Sequence, residues 1–104
     1  MNPKAAEAWN FALARLEAAR QHIQNDEGDF AMTEIAKAVY MGAGAIFYLL
    51  GTGREEQAAH QAAQGLIREM ADGDVDAAEA YQLAHKILGH IAHLSPEEDR
   101  LPAP

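Results

Sequence analysis

Leu49-Leu50-Gly51-Thr52-Gly53-Arg54-Glu55-Glu56 is the stretch on which the fold turns. Gly51 ends a helix, because glycine tolerates the backbone of a helix terminus. Thr52 and Glu55 stand in the T-x-x-E spacing of a capping box, which starts the next helix. With almost nothing between them, the two helices must fold back as an antiparallel hairpin. Upstream, the first of them is read from an N-cap at Asp29 to about Leu50. Its first half is amphipathic, with Ala31, Ile35, Ala38, Val39 and Gly42 inward and Thr33 and Lys37 outward. From Val39 to Leu50, twelve residues carry no charge. That run is shorter than the ~20 residues a bilayer span needs, and a helix apolar all round is buried on several sides. Downstream, the second helix runs to about Ala71, with Ala59, Ala62, Ala63, Leu66, Ile67 and Met70 inward.

The outer two helices follow from similar punctuation. Asn2-Pro3 opens helix 1, since Asn caps and Pro suits the first helical position. At about 100° per residue, Trp9, Leu13, Leu16 and Ile23 share a face with Ala5, Ala12 and Ala19. Arg20 falls near the centre of that stripe, where its stem would cover the core end while its guanidinium reaches outward. Asn25-Asp26-Glu27-Gly28 stops the helix, with Gly28 expected in the left-handed conformation. Asp72-Gly73-Asp74 repeats the stop-and-cap pattern. Helix 4 then runs to about Leu94, with Ala77, Tyr81, Ala84, Ile87, Leu88 and Ile91 inward. Ser95-Pro96-Glu97-Glu98 suggests one further turn, before a frayed Leu-Pro-Ala-Pro tail. The expected fold is all-α: an antiparallel up-down-up-down four-helix bundle over residues 1–95, with a short turn and tail over 96–104.

Composition narrows the function. The 104 residues carry a net charge of -8 and 49% hydrophobic residues, and they include no cysteine. Wholesale disorder is excluded by that apolar content, and disulfides, Cys-ligated metal centres and a thiol nucleophile by the missing cysteine. Sixteen acids against eight bases fit a phosphate backbone poorly, so no direct nucleic-acid binding is expected. The N-terminal segment has no apolar core of a signal peptide, which predicts a cytoplasmic protein without membrane contact. No cofactor is predicted.

Four features are candidates for function. Phe11, Tyr40, Phe47 and Tyr48 point away from the main apolar stripes. Alanine-rich seams leave a small monomer little with which to cover them, so they predict a homodimer through helix 2, with Gly44 in the same seam. Gly42 and Gly44 would suit a close helix crossing, a dimer seam or a backbone-lined small-molecule pocket. Asp26, Glu27, Asp29, Asp72, Asp74 and Asp76 open helices 2 and 4. They would gather at one end of the bundle as an acidic pole for a basic partner. In an antiparallel hairpin of helices 3 and 4, Glu56, His60 and His90 come level and form a weak candidate metal cluster. Ser95, Thr33 and Thr52 have no base placed beside them by sequence.

Two local resemblances add alternatives. Ala84-His85-Lys86-Ile87-Leu88-Gly89 resembles the histidine-phosphotransfer motif A-H-x-L-K-G of helical signalling domains. That would make His85 a possible phosphoacceptor, although Leu88 stands where the family has Lys. Arg54-x5-His60 and Arg15-x6-His22 resemble the R-x4–6-H pattern of HEPN-type ribonucleases, which implies RNA cleavage. The residues taken together predict a non-catalytic, acidic, helical protein-interaction module: an adaptor, regulator or inhibitor. A His85 signalling domain is the first alternative and a metal-binding bundle the second.

Overall fold

A computed structural model describes residues 2–94. Among these the chain forms four helices: α1 (Pro3–Gln24), α2 (Gly28–Leu50), α3 (Arg54–Ala71) and α4 (Ala77–Ala92). They pack as an all-α four-helix bundle. Arg15 on α1 meets Glu34 on α2, and Lys4 lies over the Tyr48 ring, so α1 and α2 are antiparallel. Helices α2 and α4 each touch the other three, α2 the more extensively, whereas α1 and α3 do not meet. The further turn expected at Ser95–Glu98 and the tail lie outside the described residues. No described helix is long and apolar enough to cross a membrane.

The central position of α2 follows from its small side chains. Ala31, Ile35, Ala38, Val39, Gly42, Ala43, Ala45 and Ile46 are all buried. Gly42 marks a close crossing, because a methyl built there would overlap the side chain of Leu88 on α4. Leu88 and Ile91 lie against this gap, and both are fully buried, as are Trp9, Ile35 and Ile46 elsewhere in the core. The small-residue seam is therefore a helix crossing at Gly42. Ala62, read as inward, is exposed, because the α3–α4 seam closes on Ala59, Ala63 and Leu66.

Chain reversals at one pole share a motif. At the end of α1 the Glu27 N–H donates to the His22 carbonyl (2.8 Å) and the Asp26 N–H to the Ile23 carbonyl (3.1 Å). At the end of α3 the Asp74 N–H donates to Glu69 (2.9 Å) and the Gly73 N–H to Met70 (3.2 Å). Both are Schellman endings. Glycine occupies the left-handed position in one, at Gly73, but Asp26 does so in the other, with φ 59°. Gly28, expected there, is instead the first residue of α2. The chain leaves α1 two residues earlier, and aspartate tolerates the left-handed region.

Three expected caps shift as well. Glu27, not Asp29, precedes α2 and makes no side-chain cap bond. The capping box of Thr52 and Glu55 does not form: an extended Gly53 stands between Thr52 and the helix, which starts at Arg54. Asp76, not Asp74, caps α4, its carboxylate accepting from the Glu79 N–H at 2.8 Å. Asn2 caps α1 as expected, accepting from Lys4 at 2.9 Å and Ala5 at 3.4 Å. Its amide also donates to the Tyr48 carbonyl at 3.2 Å, which ties the start of α1 to the end of α2.

Candidate functional site

The site begins with a periodicity conflict in α2. A helix that packs on three sides still turns one strip outward, and in α2 that strip holds Lys37, Tyr40, Met41, Gly44, Phe47 and Tyr48, spaced three and four residues apart. Tyr40, Phe47 and Tyr48 keep 54%, 47% and 41% of their surface exposed, and Phe11 of α1 keeps 43%. Phe47 and Tyr48 meet edge to face at 5.5 Å between centroids. Arg15 lies over Phe11 at 5.5 Å and Lys4 over Tyr48 at 5.9 Å. Gly44 sits among the rings with nothing within 4 Å of the position a Cβ would take. The strip is thus a row of rings with a dip in it.

Two shallow grooves continue this face. One of about 310 Å³ lies between Phe11, Met41 and Tyr48. The other, about 470 Å³, runs over Tyr40 and Met41 to Ile67 of α3. Phe11 and Met41 belong to both, so the face is continuous across α1, α2 and the flank of α3. Met41 and Ile67 were assigned no surface role by sequence. Leu50, 46% exposed, and Phe30, 63% exposed, were missed too. Phe30 lies apart, at the start of α2, with its ring 5.5 Å from that of His22. An aromatic residue beside acidic caps was the available signal for it.

The starts of α2 and α4, which carry the six carboxylates assigned to one pole, are adjacent: a Cβ built at Gly28 would lie 3.7 Å from the Ala77 Cβ. The carboxylates are not equivalent. Glu27 pairs with the His22 ring at 2.9 Å, and Asp76 is used as a cap. Asp26, Asp29, Asp72 and Asp74 are exposed. Arg20, placed on the apolar stripe by angle, is instead exposed and pairs with Glu17 one turn back at 2.5 Å. The Arg20 hydrogen bond holds the Glu17 carboxyl below the usual glutamate range, and Glu17 in turn raises Arg20.

The histidine constellations come apart. Glu56 and His60 do pair, at 3.2 Å, and His60 packs edge-on to Tyr40 at 5.7 Å. His90 lies on the other flank of α3, in the groove with Glu55 and Ala58. Among the described residues no group of three His, Asp or Glu side chains is placed to hold a metal ion. Arg15 and His22 turn to different acids, Glu34 and Glu27. Arg54 and His60 are likewise separated by α3 itself. His85 is half-buried with its ring 6.3 Å from Tyr81. Gly89 beside it is open, whereas Leu88, at the Lys position of the phosphotransfer motif, is locked into the core.

Compared with protein families, with curated proteins and with solved structures, the chain matches none of them.

Proposed function

We propose that this chain is a small acidic protein-interaction module, of adaptor, regulator or inhibitor type and without catalysis, that pairs with a second copy of itself through the outer face of α1 and α2. The observation that carries this reading is the row of half-exposed rings, Phe11, Tyr40, Phe47 and Tyr48, around the side-chain-free Gly44. A two-fold axis sets the same patch of each copy against the other, so that the rings of one are offered the dip of its partner. Its rim carries both signs of charge, with Lys4 and Glu7 at one end and Lys37 and Glu34 toward the other. An antiparallel pair sets these ends against each other, where a uniformly acidic rim would repel.

Magnitudes set the strength. Covering the exposed half of each ring is worth about 1 kcal/mol, hence about 8 kcal/mol for the four rings of both protomers. Lost rotational and translational freedom costs at least ~4 kcal/mol. The balance, at most about 4 kcal/mol, is a weak dimer with a dissociation constant on the order of 1 mM. The acidic pole is a second contact surface in this reading, open to a basic protein partner. Changing Asp26, Asp72 and Asp76 to Asn keeps the cap, because Asn also caps. It should weaken capture of that partner at low salt and leave self-association intact. Self-association itself is tested by Tyr40→Glu with Tyr48→Glu, which should yield a monomer with unchanged helical circular dichroism. A double variant that pairs as the parent does would remove this face from the reading.

A further inference from the structure

The basic side chains of this acidic chain are mostly spoken for. Arg15 and Lys37 pair with Glu34, Arg20 with Glu17, and Lys4 lies on Tyr48. Among the described residues three have no carboxylate or ring partner: Arg54, Arg68 and Lys86. Two of these three, Arg54 and Lys86, line one groove between α3 and α4, together with His90 and a single acid, Glu55. Its floor is apolar, built from Ala58, Ala59 and Ala62 on α3 and from Ile87 and Ile91 on α4. The alanines make it a groove, because longer side chains at their positions would fill it. It measures about 430 Å³, within the range of small-molecule sites.

We propose that this groove binds a single-chain amphipathic carboxylate, with its acyl chain along the alanine floor and its headgroup at Arg54. Unpaired guanidinium and ammonium groups beside an apolar floor match a ligand that is anionic at one end and apolar along the rest. The orientation follows from the ends. Each end holds one acid, Glu55 beside Arg54 and Glu69 past Ala62 near Lys86; the carboxylate is placed at Arg54 because the first turn of α3, which no side chain caps, adds its backbone N–H groups there. From Arg54 to Ala62 the helical rise is ~12 Å, the length of a medium acyl chain such as decanoate. This site is separate from the aromatic face and does not depend on self-association.

The test uses the full isotope-labelled chain and compares decanoate with decanol, both below their aggregation limits, by amide shifts in nuclear magnetic resonance. Decanoate should move amides of residues 54–62 and 86–91. Arg54→Gln with Lys86→Gln should weaken decanoate at least tenfold and leave decanol unchanged. Ala62→Leu, at an exposed position, should block both by filling the floor. Shifts centred on Phe11 and Tyr40, equal decanoate affinity in the double variant, or no shifts at all would each overturn the proposal.

Discussion

Gly42 and Gly44 lie two residues apart on α2 and should respond oppositely to the same change. At Gly42 an added methyl overlaps the end of the Leu88 side chain, which is fully buried, so the core must shift to admit it. Overpacking of this kind costs ~1–3 kcal/mol, more than the helix propensity an alanine returns. At Gly44 the methyl meets nothing, so alanine should stabilise the monomer by ~0.5–1 kcal/mol. Urea unfolding followed by the fluorescence of Trp9, the single, fully buried tryptophan, reads both. The Gly44→Ala chain should also pair less well, since the dip is partly filled. Asp26 holds a left-handed backbone that suits glycine better, so Asp26→Gly should raise stability by up to ~1 kcal/mol in the same assay. The Glu17 carboxyl is held low by Arg20. Arg20→Ala should therefore move its titration up toward the ordinary glutamate range, as read by side-chain carbon shifts against pH. The sign follows: the pair favours the fold above the ordinary glutamate pKa, and that contribution fades as pH falls through the lowered value.

At the scale of the elements, helix ends decide more than propensities. Asp76 caps α4, its carboxylate satisfying the Glu79 N–H. Asp76→Ala should cost ~1 kcal/mol and increase amide exchange in the first turn of α4, while Asp76→Asn should be close to neutral. The four helices were legible because Gly51, Gly73 and Asn2-Pro3 punctuate the chain in ways that few other conformations satisfy. Their capping details were less so. Thr52 and Glu55 have the spacing of a capping box, but an extended Gly53 moves the helix start past Thr52, and nothing in the local sequence encodes that displacement. Gly28 was the natural candidate for a left-handed residue, yet the Schellman hydrogen bonds of α1 close two residues earlier and place Asp26 there. The aromatic strip of α2 was legible because Tyr40, Phe47 and Tyr48 fall off the stripe that buries Ile35 and Ile46. The involvement of Ile67 was not, because it depends on α3 flanking α2 at that height. The α3–α4 groove stayed hidden because a wheel assigns Ala62 to the core, and only the packing of Ala59, Ala63 and Leu66 leaves it outside.

For the whole molecule, α2 at the centre of a bundle with α1 and α3 apart leaves one broad apolar face uncovered. The Arg15–Glu34 ion pair, with Glu34 only 14% exposed, fixes α1 against α2 and so holds Phe11 in that face. Arg15→Ala with Glu34→Ala should then loosen self-association as well as lower stability, by about 1 kcal/mol for the latter. The acidic pole and the aromatic face lie on different parts of the molecule, so salt should affect partner capture far more than pairing. Self-association is tested most directly by the molar mass in solution by sedimentation equilibrium, from about 0.1 mM to about 5 mM, a range that spans the expected dissociation constant. The mass should rise from 11.3 kDa toward twice that value, and a Tyr40→Glu, Tyr48→Glu chain should stay at the monomer mass. A parent chain that remains at 11.3 kDa across the whole range would contradict self-association.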